Sequence, residues 1–311
     1  MDIKDTRMKD AEVRDADLKD RKRHVSAKET VRCDLCGSGK SSLLCKKQGF
    51  RIIQCDNCGL VYVNPRLKAD VLAGMYNKGR VSPVMYYKQT LRDDRKTFRK
   101  RLRLLKRFVK KRDARVLDVG CNIGTFMLEM KRQEGWKPMG IDLNKGSIEH
   151  CRKMGLDARC STFDDVKLPD SSFDLIVMND FLEHVHSPTK ALQKANQLLK
   201  RGGNLFITTP DIGSLVARLS GKRWVHLKPD EHIYFFSQKT IKKMLKKTGF
   251  SVRWLGHLGR YRSLRVVLIK TQSYCTWIWN VSRALGIDRL LRKVSLSVNP
   301  YDEMGLVAEK K

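Results

Sequence analysis

Long apolar runs are missing from this chain. No stretch of 18 residues is apolar and free of charge, so no membrane-spanning helix is expected. The first twenty residues, MDIKDTRMKDAEVRDADLKD, hold no apolar run, and a secretory signal is not expected either. Acids are scarce beside bases: 33 Asp and Glu face 64 Lys and Arg, a net charge of +31. Such a balance calls for anionic company, whether nucleic acid, acidic lipid headgroups or phosphorylated substrates, and says nothing about fold. The shortage is sharpest after Glu231, with no further acid before Asp288. Long internal repeats are absent. Cysteine, by contrast, is plentiful, at nine residues. Without a signal sequence these read as reduced thiols of a cytoplasmic protein, where metal binding outranks disulfides.

Composition divides the chain. Residues 1–30 mix both charge signs with few large apolar residues and read as a disordered or weakly helical tail. Residues 31–63 hold the clustered cysteines. In residues 64–114, Leu91, Phe98, Leu102, Leu105 and Val109 recur at helical spacing, which predicts a helix with one buried stripe and a basic outer face. From Arg115, apolar runs (Val116–Gly120, Met139–Asp142, Phe173–Asp180, Asn204–Pro210) alternate with amphipathic segments. That alternation predicts an α/β fold, a mostly parallel sheet with helices on both faces. Gly249–Leu258 and Glu303–Lys311 read as the sixth and seventh strands, with an insertion at about 260–298 between them. The insertion sets Trp277, Trp279 and several Leu among Arg262, Arg265, Arg283 and Arg289. It reads as a helical hairpin packed on the sheet edge, or as a basic amphipathic segment in peripheral contact with an anionic membrane.

Cys33-Asp34-Leu35-Cys36-Gly37 and Cys55-Asp56-Asn57-Cys58-Gly59 are near-identical knuckles with eighteen residues between them. Each C-x-x-C turn sets two thiolates on one side, and the following Gly permits the turn that points N–H groups at sulfur. Two such turns complete a four-thiolate zinc site with no open position, hence a structural metal in a ribbon with its own small core. Coincidental buried cysteines or a redox pair are the blander readings. Cys45, between the knuckles, is not taken as a ligand.

Asp118-Val119-Gly120-Cys121-Asn122-Ile123-Gly124 follows an apolar strand and opens a helix. Gly120 allows a tight turn against a ligand, and Gly124 lets the helix sit close to the sheet. The next strand ends in Gly140-Ile141-Asp142, its acid 22 residues after Gly120. An acid there can accept hydrogen bonds from ribose hydroxyls; alone it could equally be a helix N-cap.

These residues carry a resemblance. Asp118–Gly124 resembles the D-x-G-x-G-x-G first motif of class I S-adenosylmethionine-dependent methyltransferases, with Asn122 at the middle glycine. Gly140–Asp142 resembles their second motif, Phe173–Pro188 their fourth-strand motif, and Leu198–Pro210 the glycine turn and fifth strand. The resemblance spans 115 to about 250. It implies a seven-stranded, mostly parallel Rossmann-like sheet and S-adenosylmethionine as cofactor. It further implies that Asp118, Gly120, Cys121, Asn122 and Gly124 hold the amino-acid end, Asp142 and Leu143 the ribose and adenine, Thr162 and Phe163 the adenine border, and that Asn179 and Asp180 lie near the sulfonium.

Cys55–Pro65 resembles the opening of a bacterial group that couples a zinc ribbon to this core, including sugar C-methyltransferases and enzymes of surface polysaccharides. In the sugar enzymes a Tyr-His-Glu-His-type segment supplies acid and base residues; here Glu231-His232 match while the Tyr and first His do not. Methyl transfer needs an aligned acceptor and removal of a proton, and His suits that task. His232, Glu231 and His184, the last in Leu182-Glu183-His184-Val185, are the candidates; each His could instead only tie loop backbone. The expected acceptor is a small molecule, anionic or glycosyl, such as a sugar or a lipid-linked sugar. Two readings compete: an RNA methyltransferase, suggested by the basic balance, and a non-catalytic binding protein on the same scaffold, against which Asp118, Gly120 and Asp142 speak.

Overall fold

The computed structural model describes residues 27–77, 83–264, 266, 291 and 294–311. Its N-terminal part comprises β1 (Lys28–Glu29), β2 (Ser41–Lys47), β3 (Phe50–Cys55), β4 (Val61–Val63), β5 (Arg66–Leu67), α1 (Ala69–Asn77) and the long α2 (Pro83–Leu105). Residues 1–26 of the expected tail lie outside the described residues. Its last residues do not behave as a tail: β1 pairs antiparallel with β5, Lys28 opposite Leu67.

Along α2, Leu102 and Leu105 are buried as their spacing predicts. The same face also carries Arg101, only 2% exposed, which corrects the expectation that the helix keeps all its bases outside. Arg101 is tolerated there because its guanidinium donates to the Glu303 carboxylate at 2.5 Å, and a buried charge needs such a partner. The neighbouring Arg95 and Arg99 hold Glu129 at 2.6 and 2.7 Å.

The core continues with β6 (Arg115–Val119), α3 (Thr125–Glu134), β7 (Lys137–Asp142), α4 (Lys145–Lys153), β8 (Asp157–Cys160), β9 (Phe173–Asn179), α5 (Pro188–Leu198), β10 (Leu199–Pro210), α6 (Leu215–Ser220), β11 (Tyr234–Phe235), α7 (Gln238–Lys247), β12 (Phe250–His257), β13 (Arg260–Ser263), β14 (Ser295–Val298) and β15 (Glu303–Lys310). Seven strands form one sheet in the order β12-β15-β10-β9-β6-β7-β8. β15 runs antiparallel to both neighbours, while β6, β7, β8, β9 and β10 pair parallel. This is the expected seven-stranded, mostly parallel Rossmann-like sheet, and its sixth and seventh strands are β12 and β15. The centres of β9 and β10 are buried on both faces, which is why they read as near-continuous apolar runs. The chain moves outward from β6 to β7 and β8, then returns to β9 on the other side of β6. The crevice at the carboxyl ends of β6 and β9 is therefore the switch point where such sheets bind ligands.

A second sheet has the order β11-β4-β3-β2, so a strand from the C-terminal half completes the cysteine-bearing hairpin. Leu35, Leu60 and Tyr62 belong to the same buried cluster as Leu192, Ile233 and Met244. The expectation that the cysteine module has its own core is thus corrected: a hairpin and two knuckles offer too little apolar surface to close one. Asp34 adds polar ties, accepting from the Thr189 backbone N–H at 2.8 Å and the Ser187 hydroxyl at 2.7 Å. At the base of the insertion, β13 and β14 pair antiparallel. The rest of it, with Trp277, Trp279 and the expected membrane contact, lies outside the described residues. No helix among the described residues is long and apolar enough to cross a membrane.

Candidate active site

The turn after β6 adopts the shape its glycines permit. Gly120 and Gly124 have φ of 76° and 74°. A Cβ on Gly124 would lie 2.5 Å from Leu156 Cδ1 and 2.9 Å from Cys151 Sγ, so α3 packs against α4 only because that side chain is missing. Asn122 also takes a left-handed conformation, φ 51°, which Asn tolerates better than other side chains. Its own Oδ1 accepts from the Ile123 N–H at 2.8 Å, and its backbone N–H donates to Asp142 at 2.9 Å. Asn122 thus supplies a left-handed conformation at the position of the motif's middle glycine.

Asp142 is not the N-cap of α4; Asn144 is, accepting from the Ser147 N–H. The Asp142 carboxylate instead accepts from Asn122 and, at 2.8 Å, from Asn144. Burial still raises its pKa. Asp118, buried at the end of β6, is pushed up to about 7 by burial and then by the Asp142 charge. Leu143 and Thr162 are partly buried, and Phe163 is buried with its ring edge-on to Phe181 at 6.2 Å. Phe181 in turn covers Gly120, where a Cβ would lie 3.3 Å from it. The ends of β6, β7 and β9 and the segment after β8 are thereby brought together around one crevice.

At the end of β9, Asn179 Oδ1 accepts from Arg101 at 2.9 Å. Asp180, at φ 48°, pairs with Arg260 at 2.5 Å. Burial opposes its charge, but Arg260 and Arg101 hold its carboxyl below the usual range. Arg260 also pairs with Glu303, which joins β13 and β15 to the site. Arg101, Arg260 and Glu303 were missed from sequence because each is an ordinary charged residue whose partner lies far along the chain.

Past β9 the backbone brings two segments together. The Glu183 carbonyl accepts from the Ile233 and Tyr234 N–H groups at 3.0 and 3.2 Å. His184 and His232 then meet edge to face, ring centroids 4.7 Å apart. His184 Nδ1 bonds the Glu231 carbonyl and His232 Nδ1 the His226 carbonyl, each at 2.9 Å. Burial, then the neighbouring His184 and His226, pushes His232 down to about 3, and burial also lowers His184, so both imidazoles are neutral. The Glu231 carboxylate is exposed and pairs with Lys228 at 3.3 Å; only its backbone enters the cluster. The carboxylate that does converge with the two rings is Glu183, unmarked in sequence except as the residue before His184.

The four cysteines of the knuckles converge as their spacing predicts. The ligand atoms of Cys33, Cys36, Cys55 and Cys58 all lie within 4.8 Å of one another, with Sγ separations of 3.4 Å for Cys33–Cys58 and 3.5 Å for Cys36–Cys55. A tetrahedral zinc with Zn–S near 2.3 Å needs sulfurs about 3.8 Å apart, so the set fits such an ion with little adjustment. Gly37 and Gly59 take φ of 74° and 83°, and their N–H groups close the knuckles onto the Cys33 and Cys55 carbonyls. Cys45 lies apart from this set.

The sheet order, the glycine turn and the paired acids Asp118 and Asp142 define a class I S-adenosylmethionine-dependent methyltransferase. The sequence profile of the methyltransferase domain family matches residues 89–254, more than half of the chain, and the chain belongs to that family. It is 26% identical over 184 residues to a ubiquinone biosynthesis O-methyltransferase of Chromobacterium violaceum, covering 55% of this chain and 78% of that one. An uncharacterized protein of Methanocaldococcus jannaschii is 27% identical over 153 residues, 49% of this chain and 71% of that one. Among solved structures, an S-adenosylmethionine-dependent methyltransferase from Archaeoglobus fulgidus superposes with a TM-score of 0.50 at 23% identity, covering 73% of this chain and 99% of that one. That likeness speaks for the fold alone.

Proposed function

We propose that this methyltransferase O-methylates a hydroxyl of a small-molecule acceptor, glycosyl and anionic in character. The observation that carries the reading is the cluster of Glu183, His184 and His232 just past β9. A buried carboxyl, its pKa raised by burial and then by the Asp180 charge, and two neutral imidazoles converge past the end of β9, where a hydroxyl acceptor would have to shed its proton. The similarity to O-methyltransferases supports oxygen as the atom methylated. The match of Glu231-His232 to sugar enzymes and the excess of bases favour a glycosyl, anionic molecule.

In this reading Asp118 and the backbone of Gly120, Cys121, Asn122 and Gly124 hold the amino-acid end of S-adenosylmethionine, Asp142 the ribose, and Leu143, Thr162 and Phe163 the adenine. When bound, the cofactor supplies an electrophilic methyl on a positively charged sulfur. Phe181, between Gly120 and Phe163, keeps water from that end of the crevice. Arg101 fixes the Asn179 amide, and Arg260 fixes Asp180, at the strand end where acceptor and methyl group meet. Cys33, Cys36, Cys55 and Cys58 hold a structural zinc, which braces the hairpin that β11 completes. Since β11 begins two residues after His232, that brace bears on the acceptor side of the crevice.

The test is methyl transfer from labelled S-adenosylmethionine to nucleotide sugars, lipid-linked sugars, phenols and RNA. An O-methyl ether on a sugar is the expected product. Transfer only to nitrogen, carbon or RNA would overturn the reading, and absence of S-adenosylmethionine binding would favour the non-catalytic alternative.

A further inference from the structure

Glu183 is 1% exposed, and both its carboxylate oxygens are buried without a hydrogen-bond partner. Among the described residues no Lys or Arg forms an ion pair with it. An uncompensated buried carboxylate is strongly unfavourable, so such a group waits for a proton or a cation. Its surroundings distinguish the two. Glu183, His184 and His232 each offer a ligand atom, and these atoms all lie within 4.8 Å of one another.

The imidazoles are set for the same task. A backbone carbonyl only accepts, so the Nδ1 atoms bonded to the Glu231 and His226 carbonyls carry the protons, and the lone pair of each ring is on Nε2. Fixing the tautomer through a carbonyl on the far nitrogen is how proteins hold metal-binding histidines. Glu183 is held through its own carbonyl by Ile233 and Tyr234, which ties all three groups to two opposed backbone segments.

We propose that Glu183, His184 and His232 form a binding site for one divalent first-row transition cation, distinct from the four-thiolate site. Two imidazoles and one carboxylate suit ions such as Mn²⁺, Fe²⁺ or Zn²⁺ and leave coordination positions open for exogenous oxygen ligands. The inference deepens the hydroxyl-acceptor reading and rests on it for its role. A hydroxyl bound to the cation gives up its proton to solvent water more readily, its oxygen keeps the electron pair, and the metal does not change oxidation state. Neutral imidazoles, poor bases on their own, are then used as ligands.

The experiment uses the full chain, dialysed against citrate, which is too weak to strip a four-thiolate zinc, and then titrated with MnCl₂. Calorimetry and electron paramagnetic resonance are expected to show one Mn²⁺ per chain, with nitrogen couplings from two imidazoles. Glu183→Gln is expected to weaken Mn²⁺ at least ten-fold while S-adenosylmethionine affinity stays within two-fold; His232→Gln should remove one nitrogen coupling. Lack of saturable Mn²⁺ binding, or unchanged binding in both variants, would overturn the site. Metal binding without O-methylation of any hydroxyl would keep the site and sink the hydroxyl reading. O-methylation that is unaffected by metal removal and by Glu183→Gln would do the reverse.

Discussion

The backbone N–H of Asn122 donates to the Asp142 carboxylate at 2.9 Å, joining the turn after β6 to the end of β7. One acid thus serves two ends. It shapes the glycine turn, and in the proposed reading it also receives the ribose. The adjoining Gly120 and Cys121 N–H groups both donate to the Ile141 carbonyl, so the turn hangs on the strand end beside it.

Asp142→Ala should therefore weaken S-adenosylmethionine by about 1–3 kcal/mol, roughly 10–100-fold, since a charge-assisted partner is lost and the turn loosens with it. Asp142→Asn keeps one acceptor oxygen and should fall between the two. Calorimetric titration of the three proteins measures the order; equal affinities would show that Asp142 touches neither the turn's shape nor the ligand.

If Asp118 holds the amino-acid end of the cofactor as proposed, cofactor binding should depend on pH. Its folded pKa is raised to about 7, first by burial and then by Asp142. A raised carboxyl contributes stability that is fully present below its unfolded pKa, about 3.9, and is lost as pH rises through 7. A cationic ammonium favours the ionised form, so cofactor binding should release a proton below pH 7 and tighten as pH rises toward 7. Calorimetry in buffers of different ionisation enthalpy counts that proton. Asp118→Asn should bind more weakly and with no such proton release.

How far the sequence could be read follows from the range of each interaction. The switch-point crevice was legible because strand, turn and acid are local patterns: Gly120, Gly124 and Asp142 each announce a backbone shape or a charge within a short segment. The cysteine cluster was legible because chelation demands fixed spacing. The buried charges were not. Arg101 and Glu303 lie at opposite ends of the domain, and only tertiary pairing turns one base of a basic helix into a core residue. Glu183 was hidden by its neighbour, since His184 attracts the eye while the carboxylate beside it is the group that folding leaves without partners. The docking of the cysteine module was hidden as well, because β11 is only two residues long and pairs far along the chain, Tyr234 opposite Tyr62.

Glu303 should be the most sensitive charge in the fold. It holds both Arg101 and Arg260, and Arg101 is almost wholly buried. Glu303→Gln leaves a guanidinium without its counter-charge and should cost about 3–5 kcal/mol. Replacing both members, Arg101→Met with Glu303→Leu, should recover part of that loss, because no buried charge is then stranded on the Arg101 side. Urea midpoints of the wild type, single and double variants measure it; a double variant no more stable than Glu303→Gln would show that Arg260, left facing Asp180 alone, dominates the loss.

The cysteine site tests whether two modules share one fate. Elemental analysis should find one zinc bound by Cys33, Cys36, Cys55 and Cys58. If the knuckles formed an independent unit, losing the metal would melt them at low temperature and leave the main transition where it was. The packing argues otherwise. Leu35, Leu60 and Tyr62 are buried in the same cluster as Ile233 and Met244, β11 completes the hairpin's sheet, and Lys247 holds the Leu35 carbonyl at 2.7 Å. Unfolding the knuckles would expose the α5 and α7 faces of the core, an apolar loss the core must bear at about 25 cal/mol per Å². Cys55→Ser should therefore lower the temperature of a single cooperative transition rather than split it in two. It should also weaken Mn²⁺ binding at His232, which stands two residues before β11, while cofactor affinity at the β6 turn, which neither β11 nor the knuckles pair with, changes little. Calorimetric scans of wild type and Cys55→Ser decide the matter: a separate low-temperature step with an unmoved main peak would show that the shared cluster does not couple the two halves.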